Sequence, residues 1–368
     1  RGGEGDLALA LALESVAIDD PSTEAIRTLT EVGLGIGTRT VLEGHSYSVR
    51  GAAISPEGDG ALSGSCADLA ADGTCNSGEL ILWDVATGAE VTRLVGHTDW
   101  VNDVAFAPDG RNALSVSDDG TLVLWDIAAQ DSIRRIVSDS SGVRGVSISD
   151  DGATALTGST DGSVAVWNLA TGEASLTLAA HDGPVTRVIF GPVGVAGTAG
   201  PTALSASADG TIALWELTTG ERLRIFTGHN GPVTDVAAHP DGTRIMSTSK
   251  DLTLRMWNIE SGQQINDHGF GFDLASIAIT PDGRTAVLSA KTGIWLWDIQ
   301  SFSEVAQLQG HEVDETQQSS INAIDLSRNG ELALSAGTDG TVRIWNLSGQ
   351  LVSRYLAPGG DDIDAIAI

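Results

Sequence analysis

GHTDWVNDVAFAPDGRNALSVSDDGTLVLWD, residues 96–126, decides how the rest of the chain is read. Gly96-His97 opens the stretch, Pro108-Asp109-Gly110 and Asp119-Gly120 interrupt it, and Trp125-Asp126 ends it. Val101, Val104 and Phe106 precede the first turn, Ala113-Leu114-Ser115 follows it, and Leu122 to Trp125 follow the second. Short apolar runs bounded by Gly and Asp turns read as strands. The ending recurs at Trp83-Asp84, Trp125-Asp126, Trp167-Asn168, Trp215-Glu216, Trp257-Asn258, Trp297-Asp298 and Trp345-Asn346, with spacings of 42, 42, 48, 42, 40 and 48. A period near 42 marks an array of one supersecondary unit. The opening recurs at Gly44-His45, Ala180-His181, Gly228-His229, Asp267-His268 and Gly310-His311, with Ser138-Asp139 in its place in the third unit.

Four strands per unit make an antiparallel sheet that cannot bury both faces alone. Radial stacking buries those faces and leaves only short edges. The expected fold is therefore all-β, a ring of four-stranded blades.

These landmarks resemble the WD40-repeat β-propellers over residues 38–368. The resemblance implies a buried tetrad of His, Ser or Thr, Asp and Trp in each unit. The matching residues are His97, Ser115, Asp119 and Trp125; His181, Ser205, Asp209 and Trp215; His229, Ser247, Asp251 and Trp257; and His311, Ser335, Asp339 and Trp345. A buried carboxylate is costly unless donors satisfy it, and imidazole and hydroxyl supply them. Three units depart: the third has Asp139 for His, the first lacks the turn Asp, and the sixth carries Lys291-Thr292-Gly293 in a shortened turn. Those blades are expected to be the less rigid ones.

Residues 39–43 and Leu351 to Leu356 each look like an outer strand, and Asp361 to Ile368 resembles the inner strand that opens each unit. Seven blades closed by pairing between the two ends are expected, with eight as the alternative. The stretch 1–37 differs in kind. Leu7 to Val16 is rich in Ala and Leu, and Pro21-Ser22 precedes a helix-start pattern, although the Leu-Ala alternation also permits a strand. It resembles the helical linkers ahead of WD40 arrays in large bacterial signalling proteins, which implies that the native polypeptide extends further.

Charge narrows the partners. With 49 acidic against 20 basic residues the chain carries −29, which repels nucleic-acid backbones and anionic lipid headgroups. No apolar run is long enough for a transmembrane helix. Enzyme signatures fail: there is no phosphate loop or nucleophile elbow, and His311-Glu312 lacks the second His of a zinc helix. Gly33 to Gly37 is a glycine-rich joint, and His239 beside its Pro-Asp-Gly turn reads as exposed. No catalytic residue, metal or cofactor is expected; a hydrolase built on acidic groups around the central channel has no motif behind it.

What breaks the repeat is the better guide to binding. Thirty-eight residues separate His45 from Trp83, against 28 from His97 to Trp125, and the excess lies around Cys66 and Cys75. A disulfide there would remove ~2–3 kcal/mol of chain entropy and imply an oxidising compartment; without it the bacterial cytoplasm is expected. Asp68, Asp72, Asn76 and Glu79 offer oxygen ligands at a spacing that matches no calcium loop. The fourth and seventh units each carry six extra residues. Strand alternation puts the first and seventh insertions on one rim and the fourth on the opposite one. The candidate binding surface is the first rim, with Tyr47, Trp100, Asp118, Glu312, Asp314 and Glu315. Trp100 stands where other units place Ser or Gly or Pro, so the repeat does not require it; the alternative is that each ring covers a neighbouring loop. A protein or peptide partner of basic character is expected, with strand exchange between copies as the competing reading.

Overall fold

The computed structural model describes residues 37–347 apart from 139, 141, 193–199 and 312–320. The expected linker in 1–36 and the strands expected in 351–356 and 361–368 lie outside the described residues, as do Glu312, Asp314, Glu315 and Asp139. Gly37–Asn346 forms seven four-stranded antiparallel sheets, each made of strands consecutive in the chain except the last. The second blade shows the plan: Val101–Phe106, Asn112–Ser117, Thr121–Asp126 and Asp131–Val137 pair in that order. In five blades the Trp pairs with an Ala two residues before the hydroxyl that its indole meets, as Trp125 with Ala113 and Trp345 with Ala333, and in the fifth Trp257 pairs with Ile245.

Every unit's first strand faces the axis. The innermost strands, from Gly51–Ile54 through Val101–Phe106 and on to Ile321–Leu326, contact one another in sequence, and the last touches the first. Between them runs a central cavity of about 390 Å³. The seventh blade takes its outer strand from the opposite end of the polypeptide: Gly37–Glu43 pairs with Thr341–Asn346, Leu42 opposite Val342. The ring is thus seven-bladed and closed by the pairing expected of residues 39–43.

The interfaces between blades are apolar. Leu42, Val49, Ile54, Trp83, Leu334 and Ile344 form one continuous cluster across the junction of blades seven and one. Trp83, Trp125, Trp257, Trp297 and Trp345 are among the largest fully buried side chains. In six of the seven blades the turn before the third strand carries a left-handed residue, such as Gly120 at φ 76° in the second blade and Leu252 at φ 67° in the fifth, and the shortened turn of the sixth has none.

Polar side chains stitch the inner strands together. Asn102 Nδ2 donates to Val143 O (2.9 Å), Thr186 Oγ1 to Val233 O (2.8 Å), Thr234 Oγ1 to Leu274 O (2.6 Å) and Asn322 Nδ2 to Val49 O (2.7 Å). A second set runs the other way: Asp103, Asp235 and Asp325 accept the backbone N–H groups of Val146, Ile277 and Ile54. Buried amides need such partners, so these bonds fix the spacing of the blades.

Leu42→Ala removes a fully buried side chain from the closing strand, and it should cost about 2–5 kcal/mol in denaturant unfolding with the slope unchanged. A cost below ~0.5 kcal/mol, the level of an exposed substitution, would mean that the strand does not close the ring.

Candidate functional site

Two polar constructions stand out, one inside the blades and one at the mouth of the channel. In the second blade Trp125 Nε1 donates to Ser115 Oγ (2.9 Å) and His97 Nε2 lies 2.7 Å from the same oxygen. Asp119 accepts from Thr121 Oγ1 (2.5 Å) and from the backbone N–H of Thr98 (2.9 Å), with His97 Nδ1 at 3.4 Å. One proton arrangement satisfies the chain: Trp N–H to Ser, Ser O–H to His, His N–H to Asp. His181, Ser205, Asp209 and Trp215 repeat it, as do His229, Ser247, Asp251 and Trp257, and His311, Ser335, Asp339 and Trp345. Burial would raise the carboxyl groups, but the hydrogen bonds to His, Thr and backbone outweigh it. Asp119 and Asp339 are held well below the usual carboxylate range, and Asp251 falls to about 2. Burial lowers His181 and His229 and keeps them neutral, despite the adjacent carboxylates. The construction is a strut: Asp119 grips the connection at Thr98, two residues before Trp100.

At the mouth, Trp100 is half-buried and one face is covered by Arg50, whose guanidinium carbon sits 3.9 Å from the ring centre. Arg50 Nη1 also donates to Asn102 Oδ1 (2.8 Å) and to Asp118 Oδ2 (2.9 Å). Asp118 Oδ1 accepts from Asn102 Nδ2 (2.8 Å) and lies 3.3 Å from Arg144 Nε. Tyr47 is half-buried on the connection entering the first blade, its carbonyl accepting from Ser65 Oγ. Deeper in, Arg187 crosses the channel to Asp103 (2.8 Å) and Asp235 (3.3 Å). Asp325 lies in the same field, and burial pushes it up to about 6.

The chain matches the WD domain, G-beta repeat family over residues 37–84, 88–126, 131–168, 172–216, 220–258 and 302–346. It belongs to the WD40 family. The rice small ribosomal subunit protein RACK1y is 28% identical over 115 residues, 31% of this chain and 34% of its own length. Arabidopsis pre-mRNA-processing factor 19 homolog 2 is 30% identical over 116 residues, 30% of this chain and 21% of its own. The nuclear distribution protein PAC1-2 of Uncinocarpus reesii is 44% identical over 82 residues, 22% of this chain and 17% of its own. The matched stretch thus spans 17–34% of each of these relatives.

The stretch that falls between the matches, 259–301, contains the third strand of the sixth WD40 blade, where the tetrad is lost. Leu288 stands where Ser115 stands in the second blade, and Trp297 Nε1 is buried with no partner among the described residues. Aromatic packing replaces the polar strut: Phe270, Phe302 and His268 rings lie 5.5, 5.7 and 4.7 Å from Trp297. Trp295 belongs to this group, 5.2 Å from both Phe270 and Phe272. His268 is not the repeat landmark. It is exposed on the outer strand, and strand register gives the landmark position to Gly271.

The first blade corrects another expectation. It lacks the turn Asp but not a carboxylate, because Glu79 supplies one from the position of Thr121, its longer side chain covering the offset. Glu79 Oε1 lies 2.7 Å from His45 Nδ1, and Arg93 donates to its other oxygen at 2.6 Å. His45 Nε2 and Trp83 Nε1 both meet Ser63 Oγ, at 2.6 and 2.7 Å. Glu79 is therefore no calcium ligand; Asp68 bonds Asn76 and Asp72 caps Thr74 instead. In the third blade Trp167 keeps its hydroxyl partner in Thr157 (2.8 Å). His239 is buried rather than exposed. Its Nδ1 accepts from Asp241 N and its Nε2 donates to Gly283 O, which ties the turns of the fifth and sixth blades together.

Cys66 and Cys75 are disulfide-bonded across the extended hairpin Gly60–Leu69 and Cys75–Asp84. Gly78 in that hairpin donates to His97 O, which seats it against the connection that carries Trp100. Among the described residues no cluster of His, Cys, Asp and Glu is arranged to hold a metal, and no helix is long and apolar enough to cross a membrane.

Burial raises Glu79, but its bonds to His45 and Arg93 prevail and hold it below its ordinary value, so its stabilising contribution is present above the unfolded value and lost as pH falls. Glu79→Gln should cost roughly 1.5–3 kcal/mol near neutral pH, and the gap to the parent should close on acidification through the carboxylate range; a gap independent of pH would contradict the buried carboxylate. Asp325 has the opposite sign. Raised when folded, it favours folding while protonated and opposes it increasingly as pH rises from its unfolded value toward about 6. Asp325→Asn should therefore raise the melting temperature at pH above that value and leave it unchanged well below it. A stabilisation that grows on acidification would contradict this.

Proposed function

We propose that this WD40 chain is a non-catalytic protein-interaction or sensing scaffold, the propeller module of a larger bacterial signalling protein. It holds its partner against the end of the disc that carries Trp100 and Tyr47. The carrying observation is Trp100, a large aromatic that the repeat does not require, held by the Asp119 strut and by the Arg50 stack. Rigid, half-buried aromatics are frequent anchors because little side-chain freedom remains to be lost on binding. The disulfide-closed hairpin beside it supports a built-up wall on the same rim.

A protein or peptide partner suits this surface, and the charge of −29 supports steering toward one that is basic and away from nucleic acid. The relatives include a protein of the small ribosomal subunit, which is consistent with a module that works inside an assembly. The Ala- and Leu-rich stretch before the propeller supports attachment to an upstream domain. The Cys66–Cys75 bond supports an oxidising compartment over the bacterial cytoplasm. Self-association is the second reading. It draws on Val95 and Val137, 75% and 73% exposed on the outer strands of adjacent blades. Strand exchange through the closing strand would require Gly37–Glu43 to leave the pairing it already makes.

Affinity capture from the source lysate with the parent chain and Trp100→Ala as parallel baits tests this. A partner held by the parent should be lost from the variant, a weakening of about 2 kcal/mol or roughly thirtyfold. Equal recovery by both baits would refute the anchor, and recovery of only further copies of the chain would favour self-association.

A further inference from the structure

On a chain that is acidic as a whole, the channel mouth gathers two arginines. At the position after the Val or Ile that opens the inner strand, blades two, four, five and seven place Asn102, Thr186, Thr234 and Asn322, and each reaches across to the next blade's carbonyl. Blades one and three place Arg50 and Arg144 there, and neither makes that stitch. Both arginines converge on Asp118 instead. That carboxylate is largely enclosed, 19% exposed, while Arg50 and Arg144 are 33% and 47% exposed. Arg50 spends one nitrogen, Nη1, on Asp118 and Asn102; its Nη2 and both terminal nitrogens of Arg144 have no partner among the described residues. Asp99, the next carboxylate along, accepts the backbone N–H of Trp100 at 2.7 Å. Two guanidinium edges therefore open on solvent beside an aromatic ring, and the nearest carboxylate is already engaged on their inner side.

From this geometry we infer that the channel mouth is a carboxylate-binding subsite, formed by Arg50 and Arg144 beside Trp100, that takes an Asp, Glu or C-terminal carboxylate of a partner peptide. It rests on the reading of this rim as the partner face and names the contact made there. Guanidinium edges match carboxylates bidentately, and such charge-assisted bonds are the strong ones. Because Asp118 already offsets one of the two positive charges, the site suits a monoanion better than a phosphate dianion. The channel interior sets the depth: Asp103, Asp235 and Asp325 around the single Arg187 repel a carboxylate that goes further in. The overall negative charge does not forbid this contact. It acts at long range, where physiological salt screens it beyond ~8 Å, whereas contacts at bonding distance persist.

Fluorescence anisotropy with dye-labelled short peptides tests it, using a Gly-Glu peptide, a matched Gly-Lys peptide and a matched Gly-phosphoserine peptide. The proteins are the parent, Arg144→Gln, Arg50→Gln and, at the opposite end of the channel, Arg328→Gln, each first checked for an unchanged melting temperature; a variant that melts lower is left out, and Arg144 is exposed enough for its variant to remain folded. The Gly-Glu peptide should bind the parent best, and Arg144→Gln should weaken it about tenfold or more while Arg328→Gln has no effect. Preference for Gly-Lys, preference for phosphoserine, equal losses from Arg144→Gln and Arg328→Gln, or binding of none of the peptides would each overturn the assignment. If partner capture still depends on Trp100 while any of these results holds, the rim stands as the partner face and only the carboxylate subsite fails.

Discussion

A blade in this ring has two apolar faces, and only closure buries both on every blade. Everything else depends on the junction where the last sheet borrows Gly37–Glu43 from the start of the propeller. Without that strand, Val342 and Ile344 lose Leu42 and the cluster spanning blades seven and one opens to water. Burial at roughly 25 cal/mol per Å² drives the ring shut, but it is indifferent to angle. The angle comes from directional bonds: Asn322 to Val49 and Ile54 to Asp325 join the two ends at the axis as firmly as Asn102 and Asp103 join neighbours elsewhere.

The buried polar groups divide into two kinds. The regular tetrads lie within blades, and Asp119, Asp209 and Asp251 each also accept a backbone N–H of the connection into the blade's first strand, at Thr98, Asp182 and Asn230. The axial carboxylates lie between blades and are less well compensated, since Asp103, Asp235 and Asp325 share one arginine. Burial accordingly raises Asp103 and Asp325, whereas it fails to raise Asp119. The same residue type thus takes opposite shifts within one ring, according to whether burial or the donors that face it prevail.

The spacing of the tryptophans and the turn chemistry carry the ring, the strand order and the four regular tetrads, because these follow from local pattern and period. What the sequence hides depends on geometry across positions. Glu79 is invisible as a tetrad member because it sits two residues from the expected Asp and works only through its extra methylene. Gly271 fills the landmark position of the sixth blade while His268, three residues earlier, imitates it. His239 looked like a surface turn residue, yet it is buried because a turn of the next blade lies over it. Arg50 carried no motif, and only the stitches made by its counterparts mark it as different. Glu312, Asp314 and Glu315 lie outside the described residues, and Trp100, Tyr47 and Asp118 are the members of the candidate rim within them.

The central claim is that partners meet the end of the disc holding Trp100. Hydroxyl-radical footprinting of the chain, free and bound to a captured partner, reads this directly. Protection should fall on Trp100 and Tyr47 and leave Pro56 and Pro108, at the other end of the channel, as reactive as in the free chain. Protection of Pro56 and Pro108 with Trp100 unchanged would contradict it.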